Sequence, residues 1–219
     1  MRPFIALVFF ALAAPLSAQP GSVVISELMW PGSTASTADE WIELYNSSDA
    51  TVDLAGWTLT YRSGAEDKVM FVFDAAEILP RQTFLIANYA ADHKNSLLNV
   101  EPQRVDSAVS LPNTKLLLHL YDGDPQAGGQ LIDVADDGRG APFAGDSTSK
   151  SAMVRIAFDQ PGDQRGGYAR VHSRVSALGR GRSARARLGN EHFTDALGLS
   201  KRASIPIARI REQKAPTCG

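Results

Sequence analysis

Three carboxylates and two indoles stand close together near the start of the chain: Glu27, Glu40 and Glu43 with Trp30 and Trp41. A pair of glutamates beside an aromatic ring is the equipment of a glycosidase, in which one carboxyl donates a proton and the other attacks or activates water. The spacing points elsewhere. Residues two apart share one face of a strand, so Trp41, Glu43 and Tyr45 face one way and Ile42 and Leu44 the other. That places Glu43 opposite a cross-strand or backbone partner, and the structural role is favoured over the catalytic one. Trp30 and Trp41 could form an aromatic platform for sugars or peptides. Trp57 is expected in the core, and Trp30, beside Pro31-Gly32, at the surface.

A second group of carboxylates, Asp122 and Asp124 with Asp133, Asp136 and Asp137, lies at two turns that would be neighbours if residues 116–121 and 130–134 pair. Such hard oxygen ligands suit Ca²⁺, but the Asp-x-Asp-x-Asp-Gly loop with its distal glutamate is missing. Solvated turn carboxylates are the favoured account. The histidines, His93, His119, His172 and His192, show no metal-ligand spacing. His119 lies in an apolar strand, either turned outward or satisfied in the core, and His93 belongs to a surface loop. There is no Gly-x-Ser-x-Gly elbow, and Gly138-Arg139-Gly140 is too short to cradle a phosphate. No catalytic, cofactor-binding or metal residue is nominated, and the chain is not expected to be an enzyme. A hydrolase with an unrecognised site is the remote alternative.

The elements that would position these residues are strands. Residues 23–29 are β-branched and apolar, residues 40–46 alternate, and Asn46-Ser47-Ser48-Asp49 is a turn cluster. Gly56 marks a bulge or tight bend, after which Trp57, Leu59 and Tyr61 alternate with Thr58 and Thr60. Further strands are expected at 69–73, 83–88, 116–121, 130–134 and 151–156. Asp122-Gly123-Asp124-Pro125 is a strong turn signal, and residues 89–99 are polar with room for one helical turn. Eight or nine short strands without an amphipathic helix predict an all-β, antiparallel sandwich.

Charge divides the chain. Residues 1–163 hold 10 Lys/Arg against 21 Asp/Glu, and residues 164–219 hold 12 against 3. The basic part, with Arg165, Arg170, Arg174, Arg180, Arg182, Arg185 and Arg187 among Gly, Ser and Ala, is expected to be a largely disordered tail. A chain ending after Asp159 is therefore expected to keep its β domain. At the other terminus, Arg2, an apolar run from Phe4 to Leu12 and Leu16-Ser17-Ala18 make a signal peptide over residues 1–18, cut after Ala18. Export to the periplasm or outside the cell follows, with no transmembrane span left in the mature protein. Cys218 is the sole cysteine, so no internal disulfide forms.

Glu40-Trp41-Ile42-Glu43-Leu44-Tyr45-Asn46 followed by Asp53-Leu54-Ala55-Gly56-Trp57-Thr58-Leu59 resembles the lamin tail domain family. Ile25-Ser26-Glu27-Leu28, Leu79-Pro80 ahead of Phe84-Leu85-Ile86-Ala87, and Ser151-Ala152-Met153-Val154-Arg155 fit the same pattern, so the resemblance covers roughly residues 20–158. It implies an immunoglobulin-like β-sandwich serving as a non-catalytic module, in bacterial members commonly exported. Family members often finish with a Trp-containing segment and a Gly-Thr-Pro-Gly-like turn; neither follows Arg155 here. A shift of reading frame after Asp163 would produce such an Arg-rich end.

The expected function is an exported protein-interaction or adhesion module at the cell envelope or outside, bound through sheet edges by strand addition to a protein or envelope polymer. The alternative is polyanion binding, nucleic acid included, by the basic residues 164–219. No cofactor is expected.

Overall fold

The computed structural model describes residues 19–172. Runs rich in β-branched and other apolar residues, most of them ending close to a Gly, Pro, Asn or Asp, form twelve strands among these residues. They are β1 (Val23–Leu28), β2 (Trp41–Asn46), β3 (Val52–Asp53), β4 (Thr58–Ser63), β5 (Glu66–Val72), β6 (Glu77–Ile78), β7 (Thr83–Ala87), β8 (Arg104–Val105), β9 (Leu118–Tyr121), β10 (Leu131–Ala135), β11 (Ser151–Arg155) and β12 (Tyr168–His172). Three are two-residue pairings, which leaves nine of four residues or more, as the turn spacing predicts. No helical turn uses the room within 89–99; short 3₁₀ turns occur at Pro125–Ala127 and Arg165–Gly167.

Two sheets pack face to face. One has the order β12-β11-β1-β2-β7-β8, the other β10-β9-β4-β5, and β3 and β6 form a small ribbon. Every pairing is antiparallel except β7 with β8. The alternation read from the sequence sorts the side chains as expected: Ile42 and Leu44 are fully buried, while Trp41, Glu43 and Tyr45 lie on the opposite face of β2. Ile25, Leu28, Ile86 and Met153 of the first sheet meet Leu59, Phe71, Leu118 and Leu120 of the second in one apolar cluster that includes Trp57. Phe73 stands edge-on between Phe71 at 5.2 Å and Phe84 at 6.0 Å, tying the sheets through aromatic contacts. Each fully buried side chain of this size contributes about 1.5–3 kcal/mol.

The sides of the sandwich are closed by charges. On one side Arg104 of β8 donates from Nη1 to the Val72 carbonyl at 3.0 Å and lies 4.5 Å over the Phe71 ring. On the other, Arg155 of β11 reaches between the sheets. Its Nη1 meets both carboxylate oxygens of Asp133 on β10 at 2.6 and 2.7 Å. Asp133 also accepts from the Ile25 amide at 2.8 Å, so β1, β10 and β11 share one buried ion pair.

The domain runs past the expected start of the tail. Residues Tyr168–His172 pair with β11 in unbroken register. Gly162, whose Cβ would collide with the Val134 carbonyl, seats the connecting loop against β10. Tyr168 closes it by donating to the Gly162 carbonyl at 2.9 Å. A strand of five residues in an Arg-rich context escapes a composition window, so the change of charge at 164 does not mark the end of the strands. The rest of the expected tail, 173–219, and the expected signal peptide, 1–18, lie outside the described residues.

Candidate functional site

Glu27 and Glu43 are direct partners across β1 and β2, and both are buried. The Trp41 indole donates to Glu27 Oε1 at 3.0 Å, and Ser26 Oγ donates to Glu43 Oε1 at 2.8 Å. Burial, reinforced by the charge of Glu43, pushes Glu27 up to about 7 against the opposing bond from Trp41. Glu40 is also driven to about 7 by burial, opposed by the bond its carboxylate accepts from the Leu111 amide at 2.9 Å. A proton held near neutrality beside a second carboxylate resembles an acid/base pair. Yet Trp41, at 5% exposed, turns its indole N–H to Glu27 and offers no surface to a sugar ring. The cluster is a packed device of the fold.

Trp30 corrects the expectation of an exposed loop indole. It is 6% exposed and donates to the Ala144 carbonyl at 2.9 Å. Gly145, at φ +87°, leaves room for the ring; a Cβ there would strike the indole nitrogen. With both Trp30 and Trp41 buried, no aromatic platform exists at these positions.

The turn carboxylates are not brought together. Pairing of β9 with β10 puts Asp122 and Asp124 at the hairpin turn and Asp136 and Asp137 beyond its other end. Asp122 accepts from the Gln130 amide, Asp124 from Gln126 and Asp137 from Arg139. Asp136, at φ +68°, accepts from the amides of Asp137 and Phe143, both at 2.7 Å. Among the described residues no group of three or more His, Cys, Asp or Glu is arranged to hold a metal ion. His119 turns outward, its Nδ1 3.1 Å from Asp67 Oδ2, and burial lowers its pKa against the pull of Asp67. His93 is exposed and stacks on Tyr89 at 4.3 Å. His172 lies in β12, with its side chain outside what is described, and His192 is outside the described residues.

The sheet edges remain. β5 is guarded: a bulge at Met70, three successive charges at Glu66, Asp67 and Lys68, and Arg104 on the Val72 carbonyl all interrupt its rim. β12 has none of these. Its register with β11 is regular, Arg170 is its one Lys, Arg, Asp or Glu, and it contains neither Pro nor Gly. The Ile156 amide donates to the Gly167 carbonyl at 2.8 Å. Alternation of bonded and non-bonded pairs along an antiparallel ladder then turns the backbone groups of Ala169 and Val171 toward β11 and those of Arg170 and His172 outward. Sequence reasoning missed this edge, although Tyr168-Ala169-Arg170-Val171-His172 alternates.

Residues 17–138, more than half of the chain, match the Lamin Tail Domain family model. The chain belongs to the lamin tail domain family. Its sandwich is accordingly the family's immunoglobulin-like fold, a typically non-enzymatic one, and β11 and β12 complete it beyond the matched residues. No curated protein matches the chain. Among the described residues no helix is long and apolar enough to cross a membrane.

Proposed function

We propose that this lamin tail domain is an exported protein-interaction module that accepts an extended partner segment along β12. The observation that carries the reading is the open rim of that strand, where the outward backbone groups of Arg170 and His172 have no neighbouring strand among the described residues. Strand addition satisfies such groups with main-chain bonds, and side chains at alternate positions supply specificity. Export rests on the n-region, apolar run and small-residue end of residues 1–18.

A photoreactive side chain at Arg170, in cells that make the protein, is expected to form an adduct with a protein outside the cytoplasm. Replacing Ala169 by proline removes a bond to β11, and replacing His172 by proline removes an outward donor. With the probe at Arg170, His172→Pro should abolish the adduct and leave the fold intact. An adduct that survives His172→Pro would end the strand-addition reading. An N-terminal peptide retaining residues 1–18 in the mature protein would end the export reading.

The second reading, polyanion binding, draws on the 12 cations of residues 164–219. Two of them are engaged within the domain: Arg165 lies 4.7 Å over Phe143, and Arg170 meets Asp146 at 3.4 Å. Salt-sensitive retention on heparin, lost on removal of residues 173–219, would favour it.

A further inference from the structure

The outer face of the four-stranded sheet is built unlike a solvated one. Register lays its side chains in two rows across the strands. Leu131, Tyr121, Thr58 and Val72 form one, and Val134, His119, Thr60 and Val69 the other. Val69 is 54% exposed, and Val72 and Leu131 are 44% exposed each. A sheet face turned to water carries polar residues in these alternate places. Here Thr58 and Thr60 are buried, Arg62 and Asp67 lie beyond the rows at one end, and His119 within the second row turns its Nδ1 to Asp67.

The two ends of the face differ in charge. At the Val72 end, the turns over residues 73–77 and 122–130 hold Asp74, Glu77, Asp122 and Asp124 and no Lys or Arg. The opposite end presents Lys115 and Arg139, both exposed, beside the Arg62–Asp67 ion pair, with Lys68 on the inner side of β5 and Glu66 and Asp137 offsetting part of that charge.

We propose that this face is the seat of a second copy of the chain, the two sheets packing about a twofold axis that runs across the strands. The axis sets each strand over its own counterpart. Val72 then lies over Val69 of the second copy and Leu131 over Val134, so the apolar ends of each row meet those of the other. It also carries Asp124 over Lys115 of the second copy. A twofold axis along the strands would set acid over acid, and charge therefore selects the first arrangement. Four strands about 4.8 Å apart and some 20 Å long give a face on the order of 400 Å² per copy. That is below the roughly 800 Å² per partner of a standard stable interface, so the association is weak and depends on concentration. It is independent of strand addition at β12, which belongs to the other sheet.

The test is sedimentation velocity of the full mature protein over rising concentration, with reductant present so that Cys218 cannot bridge copies. A monomer–dimer equilibrium is expected, with the dissociation constant raised at least about tenfold by Val69→Lys with Leu131→Lys. Both positions are exposed, and circular dichroism should show the fold unchanged. Lys115→Glu should weaken the dimer and Asp124→Lys added to it should restore it, a rescue that general loss of structure does not give. A protein monomeric up to about 1 mM overturns the inference, as does a dimer indifferent to the lysines or to the charge swap. Binding of a different protein at Val69 by a chain that stays monomeric overturns it too.

Discussion

Glu27→Gln should make the domain more stable at alkaline pH and nearly unchanged at acid pH. The carboxyl of Glu27 rises from 4.5 to about 7 on folding, chiefly through burial. Native protein thus holds a proton that the unfolded chain has already lost over this interval, so stability is full below about pH 4.5 and declines as the pH climbs to about 7. At roughly 1.4 kcal/mol per pKa unit, the whole cost is about 3 kcal/mol. Glutamine keeps an oxygen for the Trp41 indole and never ionises, so it escapes that cost. Urea unfolding followed by tryptophan fluorescence should give a gap under about 1 kcal/mol near pH 5, growing to about 3 kcal/mol in favour of the variant near pH 8. Taking the difference between two proteins cancels Glu40, which titrates in the same range and the same direction. A gap equal at both pH values, or a variant less stable near pH 8, would refute the argument that Glu27 is buried protonated.

Other substitutions probe the core and the closure. Trp57→Ala, at a position 4% exposed inside the apolar cluster, should cost about 3–5 kcal/mol in urea unfolding; a loss under about 1 kcal/mol would place the ring elsewhere. Arg155→Ala strands the Asp133 carboxylate between the sheets and should destabilise by about 3–5 kcal/mol. If Asp133→Ala added to it costs the full sum of the two single changes, the two residues do not act as a pair. A chain ending at Asp159 loses Gly162, Tyr168 and β12 and should fail to give a cooperative transition, whereas one ending at His172 should unfold cooperatively. Equal stability of the two truncations would return β12 to the tail.

Most of the long strands were legible because their side chains alternate, and alternation survives folding wherever one face is buried. The Trp41–Asn46 and Thr58–Ser63 strands sort their residues as the spacing predicts. The two-residue pairings at Val52–Asp53, Glu77–Ile78 and Arg104–Val105 are too short to hold a period, and nothing local marks them. The burial of Trp30 is not legible locally, because its own neighbours, Pro31 and Gly32, signal a loop. What buries it is Gly145, more than a hundred residues away, whose missing side chain admits the indole. The turn carboxylates show the same limit from the other side. Their spacing along the chain invites a shared site, but hairpin pairing sends the two groups to opposite ends. Arg155 looked like the close of the last strand, and its role as the cation that locks Asp133 depends on a partner in the other sheet.

The central claim, that β12 completes the sandwich and leaves one rim open, is tested most directly by amide hydrogen exchange of the isolated protein. The amides of Ala169 and Val171 face β11 and should be protected, and those of Arg170 and His172 should exchange rapidly. Fast exchange at all four would mean that β12 does not form, and slow exchange at all four would mean that its outer rim is already covered.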